Sequence, residues 1–269
     1  MSRDRQSLQC AVITGGSSGI GFSIADYLVR KGTSVILVAR NRERLEQARG
    51  TLHAACAQQA TVEILPLDIA DRELVTNSLI SLFSDRQAPD LLVNCAGIAY
   101  PDYFEQLSPT IFDDIIRINL TGTWNMLKAL VPIMQRGSVI VNVSSVAGLV
   151  GTFGYTAYAA SKFGIIGMSE ALRNELSLKG IRVAVLCPPD TDTPQLEAEN
   201  RTKPPETRAV NGNAGILQPE QVAKALFRGL KHRRKFIIIP GFQGKMIYLL
   251  KRILPGVVYS MIDMYAKKA

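Results

Sequence analysis

Short, largely apolar runs alternate along this chain with longer stretches of helical periodicity. The apolar runs fall at residues 10–14, 34–39, 61–66, 91–95, 138–143, 182–187 and 235–239. Strands apolar on both faces belong in a parallel sheet covered on both sides. Between them, residues 19–31, 41–58, 71–85, 109–134 and 155–178 place apolar side chains three and four apart, as helices do. Regular alternation of this kind predicts an α/β protein: a single doubly wound parallel sheet, helices on both faces, right-handed crossovers. No linker, low-complexity tract or further repeat interrupts it, so residues 1–240 read as one domain.

Two regions break the rhythm. Residues 188–218 follow a strand, are rich in proline and polar residues, and are too long for a plain connection. A long loop at the carboxyl end of a parallel strand is where a substrate lid is expected. Residues 241–269 form an apolar tail. Phe242, Met246, Leu249, Leu250, Ile253 and Leu254 recur at helical spacing, and Val257, Val258, Met261, Ile262 and Tyr265 do so again after Pro255-Gly256. The pattern predicts two short amphipathic helices joined by a turn. Lys245, Lys251 and Arg252 interrupt the first, so no run reaches membrane-spanning length. Basic residues at 231–235 and at Lys267-Lys268 flank the tail, as in an interfacial hairpin lying on an anionic bilayer. Packing on the domain, or on a second copy, is the equal alternative.

Composition narrows the class. The 269 residues are 47% hydrophobic and 20% charged, enough to build a full core. A net charge of +8 suits an acidic partner: a phosphate-bearing cofactor, an anionic membrane or nucleic acid. Basic tracts interleaved with aromatics are missing, so nucleic acid is not expected. Cys10, Cys56, Cys95 and Cys187 are widely spaced, and His53 and His232 lack companions at ligand spacing. No metal site, disulfide framework or Ser-His-Asp triad is expected. Reduced core cysteines and a polar, charged start at residues 1–9 point to a cytoplasmic protein, peripheral on the membrane if the tail binds there.

The chemistry-bearing residues come in three groups. Thr14-Gly15-Gly16-Ser17-Ser18-Gly19-Ile20-Gly21 lies between the first strand and first helix. Gly15 allows a tight turn, Gly19 lets backbone approach a pyrophosphate, and Gly21 allows close helix–sheet packing; the helix N-terminus offers N–H groups to phosphate. Where the second strand ends, Ala39-Arg40 stands in place of the carboxylate that a NAD site uses for the ribose. A guanidinium matches a 2′-phosphate, so NADPH is favoured, with Arg40 as a solvated helix-start residue the alternative. Finally, Tyr158 and Lys162 are four apart on one helix face, with Ser145 upstream. A buried ammonium beside a phenol is expected to lower the phenol pKa.

Together these residues resemble the short-chain dehydrogenase/reductase family, with its Rossmann-type sheet. Beyond the glycine turn, the resemblance rests on Leu67-Asp68-Ile69, on Asn94-Cys95-Ala96-Gly97, on Asn119 in Arg-Ile-Asn-Leu-Thr-Gly, and on Ser145, Tyr158 and Lys162 in order. It implies that Asp68 contacts the adenine and that Asn94 to Gly97 flank the adenosine and support the sheet. Asn119 would hold a water that relays protons to Lys162, and Lys162 would also bind the nicotinamide ribose. Ser145 would polarise a substrate carbonyl, and Tyr158 would be the acid. The family usually shows Pro-Gly after the sixth strand. Here Pro188 precedes Pro189, which stiffens the start of the loop, while Thr193 keeps the spacing to contact the nicotinamide carboxamide.

Within the family, residues 188–194 and 199–204 resemble the branch that reduces the C3 ketone of a long-chain amino ketone in sphingolipid synthesis. Asp190 and Asp192 are then candidates to meet the substrate ammonium, or simply to form Asx turns. Another bulky apolar carbonyl (retinoid, steroid or acyl ketone) and a non-catalytic dinucleotide-binding regulator are the alternatives. A homo-oligomer is expected, through a second apolar face on the Tyr158 helix (Ile165, Met168, Leu172), unless that face is core.

Overall fold

A computed structural model describes residues 8–57, 60–211 and 215–269. The polar start at 1–7, the predicted helix end at Gln58, and loop positions 212–214 lie outside the described residues. The elements run β1 (Cys10–Thr14), α1 (Gly19–Val29), β2 (Ser34–Ala39), α2 (Arg42–Ala55), β3 (Val62–Pro66), α3 (Arg72–Leu82), β4 (Leu91–Asn94), α4 (Pro109–Ile115), a π-helical turn (Ile116–Thr121), α5 (Gly122–Leu130), β5 (Val139–Val143), α6 (Thr156–Lys179) and β6 (Arg182–Leu186). After β6 come α7 (Pro194–Thr202), α8 (Pro205–Asn211), α9 (Pro219–Leu230), β7 (Ile237–Ile238), α10 (Gln243–Ile253) and α11 (Pro255–Ala266).

The strands pair in the order β3-β2-β1-β4-β5-β6-β7, all parallel. Successive strand residues enter opposite layers, as the pleat requires. Ala11, Ile13, Val35 and Leu37 pack with α1, α2 and α9; Val12, Ile36 and Val38 pack with α3, α5 and α6. The order reverses between β1 and β4, which opens a crevice beyond their carboxyl ends. In an open α/β sheet that crevice is where a ligand binds.

Two expectations are revised. Residues 109–134 do not form one helix: the π-helical turn interrupts it at Asn119. Asn119 Nδ2 donates to Ile98 O at 2.9 Å and to Ser161 Oγ at 3.0 Å, while its carbonyl accepts from Thr123 Oγ1 at 2.7 Å. These bonds hold the widened turn, a distortion found mostly at functional sites. Residues 188–218 are not a plain loop. Pro194 and Pro205 each open a helix, because proline's fixed φ suits the first turn and its missing N–H costs nothing there. Asp192 N–Leu217 O (2.8 Å) and Leu217 N–Asp190 O (3.0 Å) clasp the base of this insert. On the second face of the Tyr158 helix, Ile165 is buried, and Met168 and Leu172, partly buried, pack against the core.

The tail forms the two helices expected, and one face of it packs on the domain. Val258 is fully buried in a small core with Leu149, Val150, Val185, Cys187 and Ile239. The other face leaves Phe242, Met246, Leu249, Ile253, Leu254 and Val257 exposed. Among the described residues, no helix is long and apolar enough to cross a membrane.

Candidate active site

The glycine turn is tied into the sheet at both ends. Gly15 N donates to Val38 O at 2.8 Å, and Thr14 Oγ1 accepts from Cys95 N (3.0 Å) and Ala96 N (3.1 Å). Gly15 and Gly19 have φ of 68° and 54°, and a Cβ on Gly21 would strike the Gly15 carbonyl. Each demands a residue without a side chain. Asn41, Asp71, Ser108 and Thr193 cap their helices through their side chains, whereas Ser18 at the start of α1 makes no such bond. The start of α1 therefore faces the cleft without a side-chain cap, open to an anion. A glycine cradle and an uncapped helix start fit a dinucleotide pyrophosphate.

One cleft collects most of the expected residues: Gly15, Ser18, Gly19, Ile20, Gly21, Gly97, Ser145, Tyr158, Lys162, Pro188 and Thr193. A Cβ on Gly19 would come within 2.9 Å of Thr193 Cγ2, so the insert closes directly over the turn. Five lie outside that lining. Ser17 lines a shallower groove with Ser18 and Arg44. Arg40 stands exposed just past β2. Asp68 accepts from Ala70 N at 2.9 Å, shaping its own turn. Asn94 is buried and donates to Asn142 Oδ1 at 2.8 Å, bridging β4 to β5. Asn119 sits behind the cleft and braces Ile98 against Ser161.

Lys162 is buried and donates to Val143 O at 3.0 Å; its Nζ lies 5.5 Å from the centre of the Tyr158 ring. Gly97 leaves room for this: a Cβ there would sit 3.1 Å from Asn119 Oδ1 and 3.4 Å from Lys162 Nζ. Ser145 follows β5, holds Ala147 N at 3.1 Å and hydrogen-bonds Tyr158.

The expected fall in the Tyr158 pKa is reversed. Burial pushes the phenol above its ordinary range and Glu199 adds to the rise, while the hydrogen bonds from Ser145 and Gln195 only partly offset them. Burial also lowers Lys162 to about 8. Each shift favours the neutral form of its group. A phenol that keeps its proton at neutral pH suits an acid more than a base.

The sequence reading missed the groups facing Tyr158 from α7. Tyr155 donates to Glu199 Oε2 at 2.6 Å, and Gln195 donates to Glu199 Oε1 at 2.8 Å. Lys203 Nζ lies 3.3 Å from Asp190 and 3.9 Å from Glu199. Gln195, Glu199 and Lys203 are spaced by four, a face that was visible only once 188–218 was seen to be helical. Of the two aspartates proposed for an ammonium, Asp190 engages Lys203. Asp192 is exposed, 3.4 Å from Gln218.

The family model for short chain dehydrogenase matches residues 9–204. A 3-ketodihydrosphingosine reductase of Mus musculus is 40% identical over 221 residues, covering 81% of this chain and 67% of its own. Levodione reductase matches the fold with a TM-score of 0.80 at 25% identity, over 88% of this chain and 98% of its own. An alcohol dehydrogenase of Thermococcus sibiricus, complexed with 5-hydroxy-NADP, matches with a TM-score of 0.71 at 27% identity, over 86% and 95%. This chain belongs to the short-chain dehydrogenase family: it is an oxidoreductase that uses a nicotinamide dinucleotide.

Proposed function

We propose that this chain catalyses the NADPH-dependent reduction of 3-ketodihydrosphingosine to dihydrosphingosine. The observation that carries the reaction class is the cleft itself. An uncapped helix N-terminus at one end and Ser145, Tyr158 and Lys162 at the other line one cavity. The substrate rests on the similarity to 3-ketodihydrosphingosine reductase of Mus musculus.

In this reading the glycine turn at Gly15, Gly19 and Gly21 would hold a nicotinamide dinucleotide, which when bound would supply hydride to the ketone carbon. Ser145 donates a hydrogen bond to the carbonyl oxygen, and Tyr158 gives that oxygen its proton. Lys162 stands behind Tyr158, stabilises the phenolate left by proton transfer, and binds the nicotinamide ribose. Thr193, beside Pro188, would meet the carboxamide. Arg40 would hold the 2′-phosphate, and Asp68, Asn94 and Gly97 would flank the adenosine. Asn119 passes a proton through water to Lys162. Residues 1–240 carry this machinery. The exposed apolar face of 241–269, with Lys245, Lys251 and Arg252, supports peripheral contact with an anionic, cytoplasm-facing membrane.

Removing the acid tests the assignment. Tyr158→Phe should lower kcat by roughly 100-fold or more while leaving the dissociation constant for NADPH, measured by fluorescence titration, little changed. Near-normal turnover would refute it.

Arg40→Ala should raise KM for NADPH about tenfold with little effect on NADH, in line with the loss of one charge-assisted bond. Equal changes would remove the 2′-phosphate role.

The pH profile has a definite sign. The free site favours neutral Lys162 above about 8, so kcat/KM for NADPH should fall as pH rises through that value. Tyr158 is shifted upward and does not produce this limb. A profile flat to pH 10 would show that the ammonium is not required.

Flotation with anionic vesicles tests the tail. Full-length protein should float, and a Phe242→Ser/Ile253→Ser variant should not. Equal flotation of the two, or none by either, would sink the membrane contact.

A further inference from the structure

Glu199 is 7% exposed, yet it lines the cleft beside Tyr158. Its two direct partners are uncharged: the Tyr155 hydroxyl at 2.6 Å and the Gln195 amide at 2.8 Å. The nearest cation, Lys203, is closer to Asp190 (3.3 Å) than to Glu199 (3.9 Å). Two carboxylates thus share one buried ammonium. Lys162, which lines the cleft, is held by Val143 O on β5. A carboxylate withdrawn from water needs opposite charge to balance its lost hydration. Tyr155 cannot supply it, because burial and the adjacent carboxylate both keep its phenol protonated.

The position is specific as well. Gln195 donates to Glu199, and both line the same cleft as Tyr158. The Tyr155 ring, whose hydroxyl donates to Glu199, lies 5.6 Å from the Tyr158 ring. In a 2-amino ketone the nitrogen sits on the carbon next to the carbonyl. A carbonyl oxygen at Tyr158 therefore carries its ammonium toward a neighbour of that phenol. We propose that Glu199, positioned by Tyr155 and Gln195, binds the ammonium of the substrate and so selects 2-amino ketones over plain ketones. This rests on the reductase reading above, and it gives Glu199 the role first offered to Asp190 and Asp192.

The test uses the full chain with NADPH and two ketones of equal chain length: 3-ketodihydrosphingosine and its N-acetyl derivative, which has no charge on nitrogen. The wild type should favour the free amine in kcat/KM by roughly tenfold or more, the scale of a charged hydrogen bond. In Glu199→Gln, which keeps the shape and one acceptor, that ratio should fall close to one, mainly through KM for the amine. Thermal melts establish that the variant is folded. If it is not, the wild-type ratio alone decides. A wild-type ratio near one overturns the role of Glu199 and leaves the reductase reading intact. So does a ratio that survives in Glu199→Gln. A wild type that reduces neither ketone, yet reduces other carbonyls, overturns both.

Discussion

The ammonium of Lys162 is buried, and its hydrogen bond to the Val143 carbonyl fixes where α6 meets the sheet. Withdrawing that charge from water is costly, and the structure is arranged around making it tolerable. Ser144 Oγ donates to the Lys162 carbonyl at 2.8 Å, so the residue is tied to the end of β5 by main chain and side chain alike. Gly97 vacates the space a Cβ would fill beside Nζ. Asn119 is fixed behind it, and the π-helical turn bends α4 and α5 to bring it there. With α6 anchored in this way, Tyr158 one turn earlier has no freedom to leave the cleft. The lowered Lys162 pKa is the residual cost of the arrangement.

The sheet was legible because its signal is redundant. Seven apolar runs, the first six alternating with helical patterns, can satisfy their two faces in few ways other than a covered parallel sheet. The glycine turn was legible for a local reason: Gly15 and Gly19 occupy positive φ, and Gly21 lies against the Gly15 carbonyl. What sequence could not show was the outcome of competition between long-range terms. A phenol beside an ammonium suggests a lowered pKa, but burial and Glu199 outweigh the hydrogen bonds and move Tyr158 upward. The π-helical turn was hidden because its cause is tertiary. Asn119 finds partners at Ile98 and Ser161, which are distant in sequence.

The insert after β6 was misread for a related reason. Five prolines and many polar residues suggested irregular chain, yet Pro194 and Pro205 start helices where proline is favoured. Once α7 is seen as a helix, Gln195, Glu199 and Lys203 fall on one side of it. The tail shows the opposite case. Its helical spacing was plain, but its apolar content served two surfaces at once. Val258 and its neighbours fill a small core, while Phe242 and Ile253 remain outside it.

The cleft separates two tasks by the elements that carry them. Ser145, Tyr158 and Lys162 come from the end of β5 and from α6, whose positions follow from sheet packing. Gln195 and Glu199 come from α7, an insert clasped at its base between Asp190 and Leu217 and not dictated by the sheet. Its hydrogen bond to the catalytic wall runs through Tyr155, beside Tyr158 in the same cleft. Proton delivery and recognition of the neighbouring charge can therefore vary independently. On the proposed reading, a change on α7 would alter which carbonyl is accepted without moving Ser145, Tyr158 and Lys162, as expected where function is a site grafted on a shared fold. The same geometry imposes one restriction. Glu199 raises the Tyr158 pKa, so the carboxylate that would select the substrate also helps keep the acid protonated until that substrate arrives.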